Sequence, residues 1–357
     1  RRPQGFMASV LPVESYDTDR EAFIGLYRHE SNPEAVEKGY CGNTLAQGGN
    51  PCAALQNRLT LKPGETKYAL FILGIGDAGT YGVECQRRYA RREQVEAEFA
   101  KLQAYWEQRL GQFTCVTPSQ ELNSMFNMWN QYQCHTTFNW SRSASFNEAG
   151  GRDGVGYRDT NQDTLGVVHA IPDLVRAKLI DLLKGQLSSG AAMHSVQPLT
   201  WEQGADNLPP EDRIFSDDHL WLLLSVPAYL KETGDFPFLD LMVPYADQGT
   251  ASVYTHLKQA LEFSWGKRGP HGLLLGLAAD WNDCLNLKGK GESIWSTFLY
   301  CVALDEFIAL ATHLGKTADA DHFRTYRQAI QEKIDQYAWD GRWFLRGYLD
   351  SGKKLGG

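Results

Sequence analysis

Leu165-Gly166-Val167-Val168-His169-Ala170-Ile171-Pro172-Asp173-Leu174-Val175-Arg176-Ala177-Lys178-Leu179-Ile180-Asp181-Leu182 is the stretch on which the fold class turns. Leu165, Val168, Ile171, Leu174, Val175, Leu179 and Leu182 fall on one face of a 3.6-residue helix and leave the other face to polar side chains. The same period recurs on either side. Before it, Met125, Met128, Trp129, Tyr132 and Thr136 share a face. After it come Leu220, Leu223, Leu224 and Leu230, then Val253, Leu257, Ala260, Leu261 and Phe263. Phe298, Val302, Phe307, Ala311 and Leu314 follow, and then Phe323, Tyr326, Ile330, Ile334 and Tyr337. Six helices in tandem, with long loops after alternate members, predict a mainly α domain over residues 114–357 arranged as an α-toroid.

Upstream the pattern changes. Asn57-Arg58-Leu59-Thr60-Leu61 alternates, Lys62-Pro63-Gly64-Glu65 is a turn, and Lys67 to Leu73 is strand-like, which predicts a hairpin inside a β-sandwich over residues 1–87. Tyr40 to Cys52 is too rich in turn formers for helix or strand and is expected to be a long ordered loop. Gly74, Gly76 and Gly79 spell GxGxxG after a strand, but the text that follows is a charged helix rather than a helix and a second parallel strand. A glycine-rich turn is therefore expected there, not a dinucleotide site. Residues 88–113 read as a helical linker, with Val95, Phe99, Leu102, Trp106 and Leu110 on one stripe. Tyr337 to Tyr348 reads as a small hairpin with aromatics on both arms.

Bulk properties narrow the function. A net charge of -8, without a block of like charge, argues against nucleic acid as a partner. No uninterrupted apolar run approaches ~20 residues, which argues against a membrane span. Seven cysteines, an odd number without a CxxC pair, suggest reduced thiols and a cytoplasmic setting. No HExxH, zinc spacing, P-loop or GxSxG is present, so no metal or cofactor is expected. Ten tryptophans and sixteen tyrosines supply flat rings with a polar edge, suited to cores and to sugar clefts alike. Both ends read as cut, which fits a part of a longer enzyme.

Three long loops, Gly150 to Asp163, Met193 to Asp218 and Gly269 to Ser293, are where a helical scaffold would carry its site. The first holds Arg152, Asp153, Arg158, Asp159, Asn161, Gln162 and Asp163. These are costly to bury unless they pair with each other, as in an interdomain ion-pair network, or with a hydroxyl-rich ligand. The third brings Leu273 to Leu277 into Ala279-Asp280-Trp281-Asn282-Asp283. A ring beside a carboxyl excludes water and favours the protonated form, so Trp281 beside Asp283 suggests a general acid, with Asp280 structural. The competing reading has Asp280 as a cap and Asp283 merely solvated.

Tyr157-Arg158-Asp159-Thr160-Asn161-Gln162-Asp163, Gln197-Pro198-Leu199-Thr200, Asp217-Asp218-His219-Leu220-Trp221 and Ala279 to Leu287 together resemble glycoside hydrolase family 94, the inverting disaccharide phosphorylases. The resemblance runs from about Tyr27 to the end and implies a β-sandwich, a helical linker, an (α/α)6 barrel and a small C-terminal β-domain. It implies that Asp283 is the general acid, Trp281 a wall of the donor pocket, and Arg152 and Asp159 contacts to the donor sugar. Arg142, in Trp140-Ser141-Arg142-Ser143, resembles a cleft arginine. The implied reaction is phosphorolysis of a β-glucosidic disaccharide of cellobiose or cellobionic acid type to α-glucose 1-phosphate, with inorganic phosphate as co-substrate and a homodimer as the assembly. The family's phosphate-binding residues are expected beyond Gly357. Met193-His194-Ser195-Val196-Gln197-Pro198-Leu199 and the loop from Trp201 to Ile214 depart from the cellobiose pattern, which leaves the acceptor sugar open. Two alternatives stand beside this one: an inverting hydrolase with Asp163 or Asp153 as base, recognised by turnover without phosphate, and a carbohydrate-binding protein without turnover.

Overall fold

The computed structural model describes residues 5–46, 48–140, 154–205, 207–285, 287 and 289–356. The chain divides into two compact units, Arg1–Gln108 and Arg109–Gly357.

In the first unit, β1 (Gly5–Ser9), β2 (Val13–Asp19), α1 (Arg20–Ile24), α2 (Glu34–Lys38), β3 (Pro51–Asn57) and β4 (Phe71–Ile75) follow one another. The turn expected at Lys62 to Glu65 forms, with the Glu65 amide donating to the Lys62 carbonyl at 2.9 Å. The strands flanking it do not zip into the expected hairpin: β3 pairs antiparallel with β2, and β4 with β1. Alternation marks extended chain but not its partner, and here burial of Phe6 on β1 opposite β4 selects the pairing. The Tyr40 to Ala46 segment is ordered by the buried Asp17 carboxylate, which accepts from the Gly42 and Thr44 amides at 3.0 Å each and from the Thr44 hydroxyl at 2.7 Å.

Packing explains the glycine pattern here. A Cβ on Gly74 would lie 2.5 Å from Cζ of Phe6. The chain then passes through a turn capped by Asp77 into α3 (Val83–Arg88) and α4 (Arg92–Leu110). The β4 strand sits in an antiparallel pair, so the parallel unit required by a dinucleotide fingerprint is not what this strand forms.

The second unit is helical: α5 (Gln120–Ser124), α6 (Asn130–Trp140), α7 (Tyr157–Leu165), α8 (Pro172–Leu183), α9 (Leu222–Thr233), α10 (Val253–Gly266), α11 (Ile294–His313) and α12 (Thr317–Lys333). Short strands join them: β5 (Val155–Gly156) with β6 (Ser195–Val196), β7 (Met242–Pro244) with β8 (Thr250–Ser252), and β9 (Glu292–Ser293) with β10 (Gly347–Tyr348) and β11 (Lys354–Leu355). The apolar stretch over 165–182 spans two helices rather than one. Pro172 sits at the first position of α8, where its missing N–H costs nothing, and it forces Ile171 out of helical geometry at φ -139° and ψ 52°. The expected terminal hairpin is present, with Trp339 bridging Phe344.

Helix α9 packs on α7 and α11, α8 backs α7 and α9, and α10 and α12 back α11. The shared core includes Leu179, Leu182, Leu222, Leu223, Leu257, Phe307 and Phe323, all fully buried. Each such side chain contributes about 1.5–3 kcal/mol relative to exposure. With 20 residues and mean hydropathy 1.5, α11 is long and apolar enough to cross a membrane, but most of it is buried in this core and Asp305 and Glu306 interrupt it.

Candidate active site

The site forms where the N-terminal ends of α7, α9 and α11 meet. Residues 157–163, expected as loop, lie on the helix α7, and Tyr157, Arg158, Thr160, Asn161, Asp163 and Thr164 on it are buried. Apolar periodicity misses such a helix because its buried face is polar and pays for desolvation by pairing. Asn161 accepts from the Ser225 hydroxyl at 2.6 Å, and Thr164 donates to the Asn161 carbonyl at 2.6 Å. The Ser225–Asn161 bond holds α7 to α9 inside one unit, not across a domain boundary.

Arg158 is the hub. Its side chain is 5% exposed and donates through Nη1 to Asp217 Oδ1 at 3.2 Å and to the Asp280 carbonyl at 2.9 Å, and through Nη2 to Asp283. The guanidinium also lies 5.5 Å from the centre of the Phe215 ring. Burial works most strongly against its charge, but Asp217, Asp218 and the bonded Asp283 together outweigh burial and raise its pKa. Asp217 accepts a second bond from Trp221 Nε1 at 3.1 Å. Burial, reinforced by the charge of Asp218, pushes Asp217 up to about 7 against the pull of Arg158. Burial also pushes Asp218 up, opposed by His194, and the charge of Asp159 is felt there too.

Asp280 and Asp283 occupy different environments. The Asp280 side chain is fully buried; its oxygens accept from Ser293 Oγ at 2.5 Å, from Arg346 Nη2 at 2.7 Å and from the Asn282 amide at 2.9 Å. Ser293 in turn caps α11 by accepting from the Ser296 amide. Asp280 therefore ties the loop to α11 and to the β10 side of the terminal sheet, the structural role expected of it. Extended pairing carries the chain to this point: the Ala278 amide donates to the Ile214 carbonyl and the Ser216 amide to the Ala279 carbonyl, each at 3.0 Å.

Asp283 lies beyond that anchor with 58% of its side chain exposed and Arg158 as its ionic partner. Trp281, 49% exposed, has its ring 6.3 Å from Trp295, which lies 6.4 Å from Trp221. The three indoles line one side of the site. The expected shielding of Asp283 by Trp281 is not what this geometry shows, because a carboxyl this open is not kept dry by a ring that is itself half exposed.

Asp159, in the first turn of α7, is half-buried beneath Gly156: a Cβ there would come within 2.5 Å of Asp159 Oδ2. Of the expected site residues, Asp283 pairs with Arg158, Asp159 follows Arg158 on α7 with its charge felt at Asp218, and Trp281 lies two positions before Asp283 on the same loop. Arg142 and Arg152 lie outside the described residues, as does Asp153. Sequence reasoning quoted Arg158, the Asp217 to Trp221 motif and His194 without giving any of them a role in the site, and passed over Phe215 and Trp295. The adjacent carboxylates Asp217-Asp218 ahead of the apolar α9 were a usable signal, since two acids before a buried helix need a cation.

A carboxylate displayed at the junction of three helix N-termini, beside an indole wall, is an arrangement suited to a carbohydrate ligand. Residues 105–357 match the glycosyl hydrolase 94 superfamily catalytic domain and residues 1–93 the glycosyl hydrolase 94 supersandwich domain. The chain belongs to this family. It is 42% identical over 98% of its length to N,N'-diacetylchitobiose phosphorylase of Vibrio proteolyticus, covering 46% of that protein. It is 33% identical over 99% of its length to solabiose phosphorylase of Paenibacillus borealis, covering 44%. Cellobionic acid phosphorylase of Neurospora crassa is 27% identical over 97% of the chain, with 43% of that protein covered. The chain thus spans less than half the length of these relatives.

Proposed function

We propose that this chain carries the acid side of the active site of an inverting disaccharide phosphorylase. Asp283 protonates the bridging oxygen of a β-linked disaccharide, phosphate attacks the anomeric carbon from the opposite face, and an α-sugar 1-phosphate leaves with the freed acceptor sugar. The observation that carries this reading is the placement of Asp283: an open carboxyl on a rigidly anchored loop, held by Arg158 and beside Trp281. Paired with Arg158 the carboxylate carries no proton, so Asp283 must leave Arg158 and take up a proton from solvent as substrate binds before it can donate to the bridging oxygen. One acid suffices because phosphate arrives already anionic, whereas a hydrolase also needs a base to activate water. Asp163, the described candidate for that base, is buried on α7.

Asp159, Arg152 and Arg142 hold the donor sugar in this reading, with Trp281 as a wall. The domain closes as an (α/α)6 toroid, supported by the packing of α7, α9 and α11 in succession with further helices behind them. The relatives act on diacetylchitobiose, solabiose and cellobionic acid, so the donor is glucose or its N-acetylamino counterpart. The chain's identity with the diacetylchitobiose enzyme favours the latter over the cellobiose type. The protein works without a dissociable cofactor, as a cytoplasmic homodimer.

The test is to incubate the full-length protein with phosphate and, separately, N,N'-diacetylchitobiose, solabiose, cellobiose and cellobionic acid, and to measure sugar 1-phosphate. Phosphate-dependent release from one disaccharide is expected. Equal release of free sugar without phosphate would establish the hydrolase, and binding without turnover a lectin-like protein.

A further inference from the structure

His194 is built into the site yet has no part in the reaction as described so far. Its backbone is fixed to the start of α7: the Tyr157 amide donates to the His194 carbonyl at 3.0 Å, and the next residue, Ser195, pairs with Gly156 across β5 and β6. The imidazole stacks on Phe215 at 3.8 Å with planes 9° apart. Its Nδ1 lies 3.1 Å from Oδ2 of Asp218, a fully buried carboxylate whose other oxygen has no hydrogen-bond partner among the described residues. A carboxylate acceptor at Nδ1 fixes the hydrogen on that nitrogen and orients the ring. The Nε2 edge has no protein partner among the described residues, and 40% of the side chain is open. Phe215 carries the imidazole and also lies 5.5 Å from the Arg158 guanidinium, and the charges of both Arg158 and Asp283 reach the ring.

We propose that His194 is a substrate-binding residue whose Nε2–H, presented by Asp218 and Phe215, donates to an oxygen of the bound substrate next to the bond that Asp283 protonates. This rests on the phosphorylase reading. An imidazole that only filled space would not need a buried carboxylate at its back: that carboxylate costs desolvation, which an oriented, polarised donor puts to use. The oxygen belongs either to a sugar hydroxyl or to phosphate; both accept the same hydrogen bond. The Nε2 hydrogen is present when the ring is charged. Burial pulls the ring's pKa down, but the hydrogen bond and charge of Asp218 outweigh burial and set the net direction upward, with Arg158 opposing and Asp283 assisting.

His194→Ala and His194→Gln in the full-length protein test the assignment by steady-state kinetics with each substrate varied in turn. Loss of a hydrogen bond to substrate in a desolvated site corresponds to a fall in kcat/KM of about 10- to 100-fold for His194→Ala. A partial recovery is expected in His194→Gln, whose amide can donate, and on adding imidazole to His194→Ala. A rise in KM confined to the disaccharide assigns a sugar hydroxyl; a rise confined to phosphate assigns the phosphate. Asp218→Asn is expected to move the alkaline limb of the pH profile to lower pH, which a purely structural role would not do. Unchanged constants in both His194 variants, or losses that track the folded fraction and are not recovered by imidazole, overturn the proposal. Wild-type turnover reports on the phosphorylase reading by itself. If the wild type binds disaccharide without turnover, that reading fails, and the calorimetric affinity of His194→Ala against wild type then decides the role of His194.

Discussion

Asp280 and Asp283 are three residues apart on one loop and differ in almost every physical respect. Asp280 has a fully buried side chain with three partners; Asp283 is more than half exposed, with one ionic partner among the described residues. A carboxylate enclosed by Arg346 and Ser293 cannot move without uncapping α11, so it can anchor but cannot deliver a proton. A carboxylate on a fixed loop with a single ionic partner can exchange that partner for a substrate. The difference predicts opposite phenotypes. Asp283→Asn is expected to lower phosphorolysis by about 10²–10⁴-fold, the range for loss of a general acid, while the thermal midpoint stays near wild type. Asp280→Ala is expected to cost about 1–3 kcal/mol of stability, read by urea denaturation, because it leaves the buried Ser293 hydroxyl and the partly buried Arg346 without their acceptor. Near-normal turnover in Asp283→Asn, or wild-type stability in Asp280→Ala, would break the contrast.

Arg158 sharpens the same comparison, because it bonds the backbone of one acid and the side chain of the other. Lysine keeps the charge but not the planar fork, so Arg158→Lys cannot hold Asp217, the Asp280 carbonyl and Asp283 together. A fall in kcat of about tenfold or more is expected, larger in proportion than any change in the KM for disaccharide, since the defect lies in presenting the acid. A change confined to KM would show instead that Arg158 acts on ground-state binding.

How much of this was legible depended on whether burial was apolar. The faces around Leu179, Leu223, Leu257 and Phe307 showed themselves by period, because burial there is driven by transfer of apolar surface. Helix α7 did not, because Arg158 and Asn161 are buried through partners far away in sequence: Asp217 is 59 positions from Arg158, Asp283 is 125, and Ser225 is 64 from Asn161. The strand partners of β3 and β4 were hidden for the same reason. Asp283, Trp281 and Asp159 could be singled out from local motifs. That Asp283 pairs with Arg158, and that His194 stands between Asp218 and Phe215 beside them, required the fold.

The smallest effect is in the buried half of the cluster. Burial and the Asp218 charge push Asp217 up to about 7 in the folded chain, against about 3.9 for an unfolded aspartate. Below about pH 4 both states are protonated, and the contribution of this group is fully present. Between about pH 4 and pH 7 the unfolded chain releases a proton that the folded chain keeps, so that contribution is lost as the pH rises through this window. Asp217→Asn removes the titration. Its stability relative to wild type is expected to improve by about 1 kcal/mol or more from the lower to the upper end of the window and to stay level above it, as measured by urea denaturation at a series of pH values. A flat difference, or one of opposite slope, would mean that Asp217 is ionised throughout and that its pairing with Arg158 outweighs burial.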